Sequence, residues 1–558
     1  MRRRVHGPVP LCGPSPSSPR LSRRRFLGGC GGALLLAACG DATRSGTQPL
    51  SCGPVDEGAD VALPDEVRED PFALGVASGD PHPDAVVLWT RLALRSTPLA
   101  PLPPVAVPLV WEIARDEALR DVVGEGRALA RPEAGHAVHV DVVGLEPATT
   151  YWYRFRAGPW ASTTGRTRTA PAPGSTPGRV RFAVVSCQGY QTGFYGAYRH
   201  LAAEDLDFVL FVGDYIYELE SSVAARPHGL PPPSTLDEFR RLYALNHADP
   251  DLQAAHAAFP WVLTWDDHEV EDNYAALEPG AIGIAIDPDA RAKFPAKRAA
   301  AYRAWWENVP IRSCAPGADD GGLRIHRDLA FGDLVHLAVV DDRQYRSPIA
   351  VGEGAGNLPR LFGGGPQLPE AFDERRSLLG REQEAWLEGV LRRSTARWFV
   401  LGQQTVLAHV DRVPDDPGRG FSMDAWDGYV ASRNRLLRAV RDAGTRNFVA
   451  VGGDIHTSAV TDLLLDYHVA GAPLVGTELV APSITALELL APELAAATLE
   501  SPHIHLYDIE RHGYLVCEAS ADGLRADYRY AAITSRDAAL VAGTSWRIGD
   551  GAPGARPA

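Results

Sequence analysis

The sequence predicts an α/β domain preceded by a small β-sandwich, on three observations. From about residue 70 to 170 the chain is a series of short apolar runs in partial alternation, broken by turns. Beyond about 178, apolar strand-like runs alternate with helical patterns, as expected for buried strands covered by helices. Between the two, residues 169–179 are rich in Pro, Gly, Ala and Thr and read as a linker. A chain of 558 residues has room for more than one core. Its hydrophobic content of 45% is ordinary for a globular protein, and no apolar stretch is long enough for a mature transmembrane helix.

Taken in order, the chain opens on an address. Residues 1–39 carry seven arginines and no acid. Ser22-Arg23-Arg24-Arg25-Phe26-Leu27 precedes a short, weakly hydrophobic run to Ala38, which resembles a twin-arginine export signal rather than a basic tail before a buried helix. The twin-arginine export machinery is therefore an expected partner, and it carries proteins already folded. Leu36-Ala37-Ala38-Cys39 also resembles a bacterial lipobox, with Cys39 as a lipid anchor; plain cleavage and secretion is the other outcome. The product is thus periplasmic, a cell-surface lipoprotein or secreted. Residues 40–66 read as a flexible tether. The formal charge of −15 includes the basic leader, so the remainder is more acidic still. That argues against nucleic-acid scaffold binding through backbone charge. Outside the leader, Cys52, Cys187, Cys314 and Cys517 are too scattered for a disulfide framework.

In the region 67–170, the runs 85–89, 109–113 and 138–142 read as strands. The segment from Leu145 through Thr149-Thr150-Tyr151-Trp152-Tyr153-Arg154 resembles the loop-and-strand signature of fibronectin/Ig-like sandwiches. No titratable cluster there suggests chemistry. The second domain, expected over 178–540, contains helical patterns at 381–393 and 432–443, with Leu436, Leu437 and Val440 at helical spacing.

Five apolar runs of that domain end alike. They stop at Cys187, at Asp214 followed by Tyr217, at Asp267 followed by His268, at Gln403, and at Asp454 followed by His456. Singly, each has an ordinary reading: a small core cysteine, a packed tyrosine ring, a helix cap or a turn. Together they place potential ligand groups beyond the carboxyl ends of strands, where α/β sheets keep their sites.

Ser186-Cys187-Gln188, Gly213-Asp214-Tyr215-Ile216-Tyr217-Glu218, Trp265-Asp266-Asp267-His268-Glu269 and Gly453-Asp454-Ile455-His456 are similar to the motifs of PhoD-type alkaline phosphatases. The segments 72–81, 302–312, 342–346 and 426–429 resemble further parts of that family, so the likeness spans nearly the whole mature chain. The resemblance implies a four-layer αββα sandwich of the metallophosphoesterase type. It also implies Fe3+ held by Cys187, Asp214, Tyr217 and His456, with Asp214 bridging to Ca2+ held by Asp267 and Asp454. Thiolate, phenolate and carboxylate suit a trivalent metal, and all-oxygen ligation suits calcium. Relative to the wider superfamily, Asp267 replaces an Asn, and Asp454 and Gln403 each replace a His. Asp272 and Asn273 are candidates for a further calcium and stay unassigned.

The implied activity is hydrolysis of a phosphate ester substrate, monoester or diester, by attack of a metal-bound hydroxide or oxide. His268, beside Asp267, is the candidate to stabilise the transition state or protonate the leaving oxygen. Arg343 is expected either to clamp a phosphate oxygen or to form a surface ion pair. Two other readings keep the same ligands: a phospholipase D-like phosphodiesterase, and a non-catalytic surface binding protein stabilised by metals. A non-ligand imidazole at His268 speaks against the last.

Overall fold

The computed structural model describes residues 62–221, 223–316, 322–350, 365–413, 420–487 and 492–558. The expected export signal, Cys39 and most of the tether lie outside the described residues. Eight strands form before residue 170: β1 (Val76–Gly79), β2 (Ala85–Arg91), β3 (Val107–Ala114), β4 (Val122–Ala130), β5 (Ala137–Val143), β6 (Thr150–Ala157), β7 (Trp160–Ala161) and β8 (Gly165–Arg168). Three follow with helices between them: β9 (Arg179–Val185), β10 (Phe208–Phe211) and β11 (Pro260–Leu263). A second series comprises β12 (Arg327–Phe331), β13 (Val335–Val339), β14 (Trp398–Gly402), β15 (Phe448–Gly452), β16 (Ser458–Leu464), β17 (Leu474–Val480) and β18 (Ile504–Asp508). The chain closes with β19 (Gly513–Ser520), β20 (Gly523–Ala531), β21 (Leu540–Gly549) and β22 (Ala552–Pro557).

The α-helices among the described residues are α1 (Gly196–Ala202), α2 (Leu236–His247), α3 (Pro250–Ala258), α4 (Ala281–Ile286), α5 (Ala290–Asn308), α6 (Arg381–Arg393), α7 (Val430–Asp442) and α8 (Pro492–Thr498). The 381–393 pattern becomes α6, and the 432–443 pattern becomes α7 with its start two residues earlier. No helix among the described residues is long and apolar enough to cross a membrane.

The strands make three sheets. A ten-stranded sheet runs β22-β21-β20-β19-β9-β10-β11-β1-β2-β5, a seven-stranded one β12-β13-β14-β15-β17-β16-β18, and a smaller one β4-β3-β6-β7 with β8 beside β6. Strands β9, β10, β11 and β1 pair in parallel, as do β13, β14, β15 and β17. Side-chain alternation assigns the faces. In the ten-stranded sheet, Phe182, Val184, Phe208 and Leu210 share one core with Trp398, Val400, Val449 and Val451 of the seven-stranded sheet. Their neighbours Ala183, Val185, Val209 and Phe211 face a second core with residues of α1, α2, α3 and α5. On the other sheet, Phe399, Leu401, Phe448 and Ala450 face a third core with α6 and α7. Strands buried on both faces read as continuous apolar runs, which is why 182–186, 208–213 and 449–451 stood out in the sequence.

The strands of the first region do not all keep to one another. Val86, Leu88, Val138 and Val140 of β2 and β5 share a core with Leu109, Ile113, Tyr153 and Phe155 of β3 and β6, which gives two facing sheets. One of these is continuous with the large sheet, because β1 pairs with β11 (Ser78 with Pro260, Gly79 with Trp261). Of the cysteines, Cys187 and Cys517 are free and buried, and Cys314 is disulfide-bonded.

Candidate metal centre

The parallel strands of both large sheets deliver their next residues to one place. Cys187 follows β9, Asp214 follows β10, Asp266 and Asp267 follow β11, Arg343 follows β13, and Asp454 and His456 follow β15. The backbone there is unusual. Among the described residues ten non-glycine residues have positive φ, and four of them are candidate ligands: Cys187 (+58°), Asp214 (+61°), Asp454 (+66°) and His456 (+52°). Each left-handed residue costs roughly 1–2 kcal/mol, and such strain gathers at functional sites.

Local contacts hold these turns. The Cys187 amide donates to the Gly213 carbonyl and the Gln188 amide to the Asp214 carbonyl, both at 3.0 Å. Gly213 has a φ of +115°, and a Cβ there would lie 2.4 Å from the Asp266 Cβ, so only glycine lets the two turns meet. Glu269 is fully buried, and its carboxylate accepts the amides of Asp214 (3.1 Å), Tyr215 (2.7 Å) and Asp266 (2.9 Å). It thereby ties two ligand-bearing turns together.

Three overlapping side-chain groups result. Cys187, Asp214 and His456 bring one potential ligand atom each within 4.8 Å of the others, and so do Asp214, Asp267 and His268, and Asp266, Asp267 and Asp454. Asp214 belongs to the first two and Asp267 to the last two. Tyr217 adds a phenol to the first group, donating to Asp214 Oδ2 at 3.0 Å and lying 2.9 Å from His456 Nε2. His456 Nδ1 stands 2.8 Å from the Leu487 carbonyl. A carbonyl can only accept, so the proton belongs on Nδ1 and the Nε2 lone pair faces the group. Asp214 Oδ1 is buried and has no hydrogen-bond partner among the described residues. Burial, then the Asp214 charge, pushes the Cys187 thiol and the Tyr217 phenol well above their ordinary ranges. An orphaned carboxylate oxygen beside a thiol and a phenol fits a cation, which would hold both as anions.

The other half of the centre is all oxygen, with Arg343 in its midst. The guanidinium is fully buried. Its Nε meets Asp266, its Nη1 lies 2.9 Å from Asp424 Oδ1, and its Nη2 lies 3.4 Å from Asp454 Oδ1 and 3.6 Å from Asp267 Oδ1. Arg343 is therefore no surface ion pair: its guanidinium edges face carboxyl groups of the centre. Asp454 is lifted to about 8 by burial, with Arg343 only partly offsetting it. Asp267 is instead drawn down to about 2: burial opposes ionisation there, but Arg343, His268 and the Asn273 amide at 2.5 Å outweigh it. Four carboxyls share one guanidinium, and burial favours a proton on Asp454 that an added cation would displace.

His268 lies at the edge of the centre. Its Nδ1 is 2.7 Å from Glu218 Oε2, and its ring is 4.3 Å from that of Tyr217. Burial disfavours the imidazolium, but the charges of Glu218, Asp267 and Asp214 outweigh it and raise the pKa well above the ordinary value. Glu218 also accepts the Asp272 amide at 2.7 Å. Asp272, lifted to about 7 by burial, receives the Asn273 side-chain amide at 2.9 Å.

Gln403 stands apart. Its Oε1 accepts from the Trp426 indole at 2.7 Å, and its Nε2 donates to Glu478 at 2.9 Å, so both ends of the amide are used outside the ligand groups. Sequence reasoning missed the parts played by Glu218, Glu269, Asp266 and Asp424. The first three lie inside quoted motifs, and their acidity next to the ligands was the available signal; nothing local pointed to Asp424.

Known proteins give the same arrangement a context. The model of the PhoD-like phosphatase family matches residues 182–528, and that of the PhoD-like phosphatase N-terminal domain matches residues 58–171. Alkaline phosphatase D of Bacillus subtilis (strain 168) is 39% identical over 481 residues, covering 84% of this chain and 79% of that protein. A solved structure described as the structure of PhoD superposes with a TM-score of 0.80 at 38% identity, covering 88% of this chain and 92% of that one.

Proposed function

Because the chain belongs to the PhoD-like phosphatase family and is a phosphoric ester hydrolase, we propose that it works through two kinds of cation. Cys187, Asp214, Tyr217 and His456 would hold Fe3+, and Asp214, Asp267 and Asp454 would hold Ca2+. The observation that carries this reading is the overlap of the ligand groups: Asp214 sits where a bridging carboxylate is needed, with an orphaned buried oxygen. Sulfur and phenol on one side, and oxygen alone on the other, match the two ions' preferences. When bound, the cations offset phosphate charge and acidify water.

The chain's own residues do the rest. His268, held by Glu218 at Nδ1 and with its Nε2 3.8 Å from Asp272 Oδ1, would hand a proton to the leaving oxygen from Nε2. The charges of Glu218, Asp267 and Asp214 favour its protonated form. Arg343 is a positioning residue that holds Asp267 and Asp454 at a common guanidinium. Glu269 fixes the turns below them.

The same reading extends to architecture and address. We assign residues 67–170 to a fibronectin/Ig-like sandwich and 178–540 to a metallophosphoesterase-type αββα domain; the separate matches at 58–171 and 182–528 support the division. The leader would direct export of the folded protein by the twin-arginine route, with Cys39 as a possible lipid anchor.

Metal analysis and the visible spectrum of the purified protein test the central claim. Iron together with a thiolate- or phenolate-to-iron absorption band is expected, as is loss of hydrolysis on calcium chelation with recovery on Ca2+ addition. Full recovery with Zn2+ alone would overturn the calcium assignment, and a colourless, iron-free active protein the iron assignment.

A further inference from the structure

A cleft of about 380 Å3 lies beside the loop that carries Arg343. Its walls are the first turn of α6, Tyr345 of that loop, and Arg324, His326 and Trp386. The residues 341–346 and α6 are bolted together here. Gln383 donates to the Asp341 carbonyl at 2.7 Å and accepts its amide at 2.8 Å. Gly380, the residue before α6, has a φ of +74°, and a Cβ on it would stand 2.7 Å from the Tyr345 Cβ. Glycine is what lets the helix end approach the tyrosine.

Hydrogen-bond donors in this cleft are unused. Among the described residues no side chain caps the first turn of α6, a thirteen-residue helix, so its leading amides are available to an acceptor. Arg324 is exposed and makes no ion pair or hydrogen bond among the described residues. Flat surfaces accompany them: the His326 ring lies 4.9 Å from Trp386 and 5.9 Å from Tyr345. His326 is held down to about 4, by burial and then by Arg324 and Arg327, so it is neutral in ordinary buffers. Arg381 is already paired with Glu384 at 2.9 Å. The carboxylate of Glu382 in the lining opposes a ligand of high negative charge.

We propose that this cleft is a second ligand site, separate from the metal centre, for an aromatic monoanion such as an arylcarboxylate. The anion meets the α6 amides and Arg324, and the ring packs against Tyr345, His326 and Trp386. The site draws on none of the proposed metal ligands, so it stands or falls apart from the cation assignment.

The test is calorimetric titration of the full-length protein with 2-naphthoate, in saturating inorganic phosphate so that the metal centre is occupied. Acetate and 2-naphthalenemethanol serve as the ring-free anion and the uncharged ring. One saturable site for naphthoate is expected, with both controls at least about tenfold weaker. Arg324→Ala should weaken naphthoate about tenfold or more, and Glu382→Gln, which removes the carboxylate of the lining, should tighten it about threefold or more. Arg324 is exposed and bonded to nothing among the described residues, so its removal spares the fold. Absence of saturable binding, equal affinity for acetate, or wild-type affinity in both variants would overturn the proposal.

Discussion

The two halves of the metal centre solve one electrostatic problem in opposite ways. Around Cys187, Tyr217 and His456 the groups are soft or weakly acidic; in the cation-free chain the thiol and phenol stay protonated, and the Tyr217 hydroxyl donates its proton to Asp214 with the His456 ring beside it. Around Asp266, Asp267, Asp424 and Asp454 the groups are hard carboxylates, and the chain's own cation, Arg343, is built into their midst. The first half keeps its charge latent until a metal arrives. The second sets a guanidinium among its carboxyls, which holds Asp267 ionised while burial keeps Asp454 protonatable near neutral pH. Asp214 is the hinge between them.

The sharpest way to break this comparison is Asp214→Asn. Because Asp214 is common to two ligand groups, the variant should lose both kinds of cation and fall to background hydrolysis, which metal analysis and phosphate release will show. Retention of either cation at full occupancy would mean that the halves are independent. Single-sided changes come next. Cys187→Ser should lose iron and the visible band while calcium titration stays nearly normal. Asp267→Asn should shift the calcium titration and leave most of the iron, since it spares the sulfur half. Identical calcium curves for Asp267→Asn and wild type would remove that residue from the site.

Smaller effects follow outward. His268→Ala should keep the metals and lose turnover by about 10²-fold, least for substrates with very good leaving groups. Equal loss for good and poor leaving groups would point to charge stabilisation rather than proton donation. Glu269→Gln should be the mildest, lowering metal affinity about tenfold, because an amide can still accept one of the three backbone N–H groups. Isotherms for both cations will show whether the loss falls on the two halves together, as expected of a residue that ties their turns.

Much of this centre was legible in the sequence for a physical reason: parallel strands buried on both faces appear as unbroken apolar runs, and whatever follows such a run lies at the sheet edge. Cys187, Asp214, Asp267 and Asp454 were found that way. The same logic misplaced Gln403, because a strand end can equally supply a structural amide, here spent on Trp426 and Glu478. The surroundings of Arg343 were illegible, since its partners Asp266, Asp424 and Asp454 lie 77, 81 and 111 residues away in the chain. Sheet continuity escaped for the same reason: the pairing of β1 with β11 leaves no local mark at either strand.

That topology has a consequence for the order in which the molecule can be made. Strand β9, which ends at Cys187, is flanked by β10 on one side and by β19 on the other, where Val184 faces Leu515. On a ribosome the first partner emerges soon after β9, but the second emerges only after β12 to β18 have been made. Non-local pairing of this kind slows folding. The nascent chain must therefore carry β9, the strand that leads into Cys187, with an open edge until β19 is released.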